Sequence, residues 1–167
     1  VGIFELKDFA DITDHDWYKM FEINVMSGVQ LSRKLLPQML EKNWGRILFI
    51  SSESGINIPD NMIHYGMTKA AMMAVSNGLS KTTKGTEVTV NTILGGPTYS
   101  DGVAETIEQL AGMQNMPVAQ LKEGIMQQTN PHSLIGRFID PAEIAHLATY
   151  LTSPLSIATN GACLRAD

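Results

Sequence analysis

Trp17, Met20, Phe21, Asn24, Gly28, Leu31 and Leu35, apolar but for Asn24, recur mostly at three- and four-residue steps, the spacing of one helix face. Thr13 followed by Asp16 has the form of a capping box, so the pattern predicts a long helix from about 14 to about 41, bent at Pro37 and ended near Gly45. RILFISS, residues 46–52, is continuously apolar without alternation, which predicts a strand buried on both faces. The composition turns helical again over 61–81, with Gly85 as a natural stop, and the β-branched run VTVNTILGG at 88–96 predicts a second strand. Asp140 and Pro141 mark the start of another helix, and GACLRA at 161–166 reads as a third strand. Residues 97–135 carry Gly, Pro, Met and Gln and only two or three weak helical turns, which suits a mobile segment over a site. Strand, helix, strand, helix, strand at these distances implies a parallel sheet with helices on both faces.

Length and composition narrow the class. One domain covering 1–167 is expected for 167 residues with 44% hydrophobic content. A net charge of -5 argues against nucleic acid or an anionic membrane as partner. The lone Cys163 excludes an internal disulfide framework and a cysteine-rich metal site, and fits a reducing cytoplasm. No metal-ligand spacing joins His15, His132 and His146. The first residues, VGIFELKDFADITD, have neither an initiator Met nor a signal pattern, and the chain stops in a strand-like run, so a fragment is expected.

Candidate chemistry gathers at the carboxyl ends of the strands, where open parallel sheets bind ligands. Ser52 ends the first strand, Gly95 and Gly96 end the second, and Tyr65 and Lys69 stand one turn apart on the helix between them. Asn24 sits on an apolar helix face, where an amide is costly unless hydrogen-bonded. A tyrosine serves as acid or base near neutrality only if its pKa falls well below its ordinary value of about 10. That requires roughly 4 kcal/mol of preference for the phenolate, and an ammonium about 4 Å away at an effective dielectric near 20 supplies about that much. Lys69 is therefore expected to lower the Tyr65 pKa, with Ser52 hydrogen-bonding a substrate oxygen and Asn24 holding a water.

The ordered set of Asn24 in NVMSG, Ser52 in ISSESG, Tyr65 and Lys69 in YGMTK, Asn91 in VTVN and the GRFIDPAEIA to TNGACLRAD tail resembles the classical short-chain dehydrogenase/reductases, over their carboxyl-terminal two-thirds. The resemblance implies a Rossmann-like, doubly wound parallel sheet in three αβα layers, lacking its amino-terminal glycine-rich βαβ portion. It implies NAD or NADP as cofactor and ketone/secondary alcohol interconversion by hydride transfer, with 3-oxoacyl reduction one case. Tyr65 becomes the general acid/base, Lys69 its activator and a ribose ligand, Ser52 the substrate-oxygen donor and Asn24 the water holder. Gly95, Gly96, Thr98 and Ser100 line the cofactor, and 97–135 is the substrate lid. A homotetramer or homodimer through the two long helices is also implied, Gly66, Ala70 and Ala74 permitting close packing, and with it a small-molecule carbonyl or alcohol as the partner.

Two departures stand out. Gly95-Gly96 replaces the family's usual Pro-Gly, and no two glycines stand two apart, so the phosphate-binding G-x-G is not in this sequence. The determinant of NAD against NADP would lie with it, before Val1. A non-catalytic dinucleotide-binding or scaffolding relative, or an inactive fragment, is the alternative reading. His64 is expected to pack or touch substrate, and Glu53 faces either substrate or solvent.

Overall fold

Three parallel strands, β1 (Gly45–Ser52), β2 (Val88–Gly95) and β3 (Cys163–Ala166), lie in the order β1-β2-β3 in the computed structural model, which describes residues 2–167. Gly45 pairs with Val88 and Ser52 with Gly95, so both strands end level and deliver Ser52 and Gly95 to the same edge of the sheet. Thr92 through Gly95 pair in turn with Cys163 through Ala166.

The first helical stretch is capped as its sequence demands. Thr13 accepts from the Asp16 N–H, and the Asp16 carboxylate accepts from the Thr13 N–H, the reciprocal box that supplies two otherwise unpaired amides. The stretch is α1 (Asp14–Phe21), a π-helical turn over Glu22–Met26, and α2 (Ser27–Glu41). The helix is interrupted at Asn24 by this π-turn, and α2 continues through Pro37. Gly45 opens β1 rather than closing the helix.

Helix α3 (Ile63–Lys81) crosses from β1 to β2 and packs its apolar face on the sheet. Val25, Phe49, Met72 and Val90 form the centre of that layer, with Val29, Ile47, Ala71, Val75 and Leu79 around them. Helix α6 (Pro141–Thr152), begun by an Asp140–Glu143 capping box, covers the opposite face, where its Ile144 meets Gly95. Every residue of β2 is buried, as a strand sandwiched between helices should be. The expectation of two buried faces fails for β1: Ile50 is 48% exposed, because β1 pairs along one edge only among the described residues.

Residues 97–135 also depart from expectation. They hold two regular helices, α4 (Asp101–Gln114) and α5 (Val118–Thr129), in place of weak turns. Asn115 at φ 50° closes α4, a left-handed cap that asparagine tolerates. Both ends of the excursion are tied together, since the Ile139 N–H donates to the Pro97 carbonyl at 2.8 Å and the Tyr99 N–H to the Ile139 carbonyl at 2.9 Å. No helix among the described residues is long and apolar enough to cross a membrane.

Candidate active site

Ser52, Tyr65 and Lys69 meet at the carboxyl end of β1, and the backbone around them explains why. After Ser52 the chain makes a 3-10 turn, Glu53–Gly55, started by the Ser54 N–H donating to Ser52 Oγ at 3.1 Å. A Cβ on Gly55 would lie 2.9 Å from the Lys69 carbonyl carbon, so only glycine lets this turn lie directly on α3. Gly66 meets Ile58 and the Ser54 carbonyl in the same way. The buried Ser51 hydroxyl donates to the Lys69 carbonyl at 2.8 Å and locks the register of strand against helix. Gly66 therefore serves contacts within the chain and is not open to a partner helix, whereas Ala74 is exposed.

Lys69 is buried, and its Nζ donates to the Ile50 carbonyl at 3.1 Å. An ammonium has three donors, so capacity remains for a further acceptor. Nζ lies over the Tyr65 ring, 5.3 Å from its centroid, rather than against the hydroxyl. Burial pushes the Tyr65 phenol above its ordinary value; the nearby Ser52 side chain opposes the rise and the Glu53 carboxylate adds to it. Burial likewise pushes the Lys69 ammonium down. The expectation that Lys69 lowers the Tyr65 pKa is thus not met in the free chain, because desolvation outweighs an ammonium placed over the ring.

Asn24 is 2% exposed and its amide is fully committed. Oδ1 accepts from the Ile3 N–H at 2.8 Å, while Nδ2 donates to the Ile3 carbonyl at 2.9 Å and to Thr68 Oγ1 at 3.1 Å. The side chain ties the 2–4 segment and α3 to the π-turn, and leaves no amide hydrogen for a water. One consequence is that Phe4 is presented edge-on to Tyr65, ring centroids 6.3 Å apart.

The cofactor candidates are mixed. Gly95 and Gly96 do lie at the end of β2, but a Cβ on Gly96 would strike Asp167 at 2.6 Å, so its bareness serves the neighbouring chain. The Thr98 hydroxyl donates to the Gly96 carbonyl at 2.9 Å, and Ser100 is exposed at the start of α4 with no cap bond from its side chain. Asn91 bridges β2 to the turn before β3, donating to the Thr159 carbonyl at 2.7 Å and accepting from the Ala162 N–H at 3.0 Å; its part is structural. His64 is wholly buried against the edge of Trp17, with Glu5 4.0 Å away, which fits packing.

Beside Glu53 opens a cavity of about 540 Å³, walled by Pro97, by Asn130 through Leu134, and by Arg165 and Asp167. Asn130 Nδ2 donates to Glu53 Oε1 at 3.3 Å. The sequence left Glu53 undecided and gave no sign of Asn130 or Arg165; only the fold brings positions 53, 130 and 165 together.

A parallel sheet with helices on both faces is the doubly wound αβα arrangement, whose ligands bind beyond the carboxyl ends of the strands. Residues 1–111 match the short chain dehydrogenase family, to which this chain belongs. The uncharacterized oxidoreductase YvaG of Bacillus subtilis is 44% identical over all 167 residues. The D-beta-hydroxybutyrate dehydrogenase of Cupriavidus necator is 28% identical over 99% of the chain. The chain spans 63% of the length of each, less than two thirds. Among solved structures, L-sorbose reductase from Gluconobacter frateurii superposes with a TM-score of 0.90 at 24% identity, over 99% of this chain and 62% of that one. A 3-oxoacyl-(acyl-carrier-protein) reductase from Agrobacterium tumefaciens superposes at 0.86 with 21% identity, over 99% and 60%.

Proposed function

We propose that the complete protein is an NAD(P)-dependent oxidoreductase that interconverts a ketone and a secondary alcohol, and that this chain supplies its acid/base residues. The observation that carries this reading is the half-buried Tyr65, with the Ser52 side chain near its hydroxyl and the buried Lys69 ammonium over its ring.

A nicotinamide dinucleotide, when bound, supplies or accepts the hydride. Lys69, with donors to spare beyond the Ile50 carbonyl, and the Tyr65 hydroxyl are the groups suited to hold its ribose. Solved proteins of this fold hold NADPH or NADP, which supports the same cofactor class here. In reduction Tyr65 delivers its proton to the substrate oxygen, and in oxidation it takes that proton away. Ser52 positions the oxygen, and the Lys69 charge stabilises the phenolate once a bound ligand draws the ammonium toward the hydroxyl. Asn24 acts by holding the Ile3 segment and α3 in place. Helices α4 and α5, within 97–135, form the wall and lid of the substrate cleft. Assembly into a dimer or tetramer through α2 and α3 completes the reading.

Tyr65→Phe in the complete protein tests it. Turnover should fall by about 10²-fold to 10⁴-fold, the usual worth of a positioned acid/base, while nicotinamide binding persists. Retained turnover overturns the reading.

A further inference from the structure

The geometry points to Glu53 as the residue that selects the substrate, and to a neutral, polyhydroxylated ketone or alcohol as the class it selects. This inference rests on the oxidoreductase reading and deepens it. Glu53 directly follows Ser52, its charge acts on the Tyr65 phenol, and it forms part of the cavity wall, so a substrate that reacts at Tyr65 and extends into the cavity meets this carboxylate.

The chemistry of the cavity excludes two alternatives. A carboxylate has about four acceptor positions, and Glu53 uses one of them, on Asn130. An alkyl or acyl chain laid against it would strip water from a charge and return no hydrogen bond. An anionic substrate fares no better. Arg165 is the guanidinium in the wall, and it is already engaged by the Asp167 carboxylate through both Nε, at 2.9 Å, and Nη2. Arg165 also attracts Glu53, but the carboxylates of Glu53 and Asp167 together outnumber its single charge in the wall, and that balance repels a further carboxylate.

Hydroxyl groups answer both conditions. They donate to the free positions of Glu53 and accept from Asn130, and they add no charge. A site built to hydrogen-bond a hydroxyl discriminates strongly against an analogue that lacks it, because its own polar groups are then left unpaired. The volume of about 540 Å³ accommodates a molecule of six carbons with room for water.

The test uses the complete protein with its nicotinamide cofactor and three substrates: D-fructose, 2-hexanone and acetoacetate. The wild-type protein should favour the ketohexose in kcat/KM. Glu53→Leu should lower the ratio of ketohexose to hexanone by about tenfold or more, chiefly through KM. Glu53→Gln, which keeps the shape and one acceptor oxygen, should fall between the two and guards against a folding defect. Isothermal titration of D-fructose into the cofactor complex should lose its signal in Glu53→Leu. A wild-type preference for hexanone or acetoacetate, or equal losses on all three substrates in the variants, overturns the inference and leaves the oxidoreductase reading standing. Failure of wild-type protein to turn over any ketone overturns both.

Discussion

Asn24 and Ile3 bind each other through both halves of an amide, Oδ1 to the Ile3 N–H at 2.8 Å and Nδ2 to the Ile3 carbonyl at 2.9 Å, as neighbouring strands would. The side chain stands in for a piece of sheet, and the π-turn around it sets the helix wide enough to aim it there. Asn24→Leu leaves the Ile3 groups and Thr68 without partners in a buried place. It should cost about 2–4 kcal/mol in urea unfolding of the complete protein, and it should lower kcat/KM by loosening Phe4 beside Tyr65. Asn24→Asp keeps the acceptor but loses the donor, and should fall between.

Two neighbours of Tyr65 push its titration in opposite directions. Ser52 lowers the phenol pKa, and Glu53 raises it. On the proposed mechanism the rate of alcohol oxidation rises with pH as the phenol ionises, so Ser52→Ala should move that rise to higher pH and Glu53→Gln to lower pH. A pH profile of kcat/KM for each variant checks the sign. Shifts of the same sign in both would contradict the arrangement.

Gly55, packed on α3, and Gly78, within it, should answer oppositely to alanine. A Cβ at Gly55 meets the Lys69 carbonyl carbon at 2.9 Å, so backbone must yield and Gly55→Ala should destabilise by about 1–3 kcal/mol. Gly78, in the interior of α3 with open space around it, should gain about 0.5–1 kcal/mol as alanine. Denaturant midpoints of the two variants decide the matter.

Lys122 on α5 lies 3.7 Å from the centre of the Tyr99 ring and 5.8 Å from that of Phe138. These contacts hold α5 to the base of its excursion. Lys122→Gln should remove about 0.5–2 kcal/mol of cation–π attraction and speed amide exchange over 118–129 without changing exchange in β2.

The elements that rest on short-range rules were legible in the sequence. The Thr13–Asp16 and Asp140–Glu143 boxes announced their helices, and three apolar runs announced a parallel sheet now seen in register. The family was legible too, from the spacing of Asn24, Ser52, Tyr65 and Lys69. What escaped depends on distant partners. No local pattern marks a π-turn, and the burial of Asn24 makes sense only once Ile3 lies opposite. The exposure of Ile50 depends on which strands flank β1, a matter of topology. Gly66 was legible as a small residue on a helix, but Ile58 and Ser54, not a partner, occupy the space beside it. Lys69 stands one turn from Tyr65 as spacing requires, yet spacing alone does not say whether an ammonium meets a hydroxyl or a ring face.

The paired strand-like contact of Pro97 and Tyr99 with Ile139 has a consequence for how such proteins diversify. The two ends of the excursion meet in one bridge beside the sheet, so the backbone of the segment from Ser100 to Phe138 starts and finishes at a single clasp. A replacement of different length and sequence can be inserted there while Gly95 and Asp140 keep their positions, and the cost of a longer excursion grows only with the logarithm of its length. Length and sequence can therefore vary between Ser100 and Phe138 with little strain on the sheet behind.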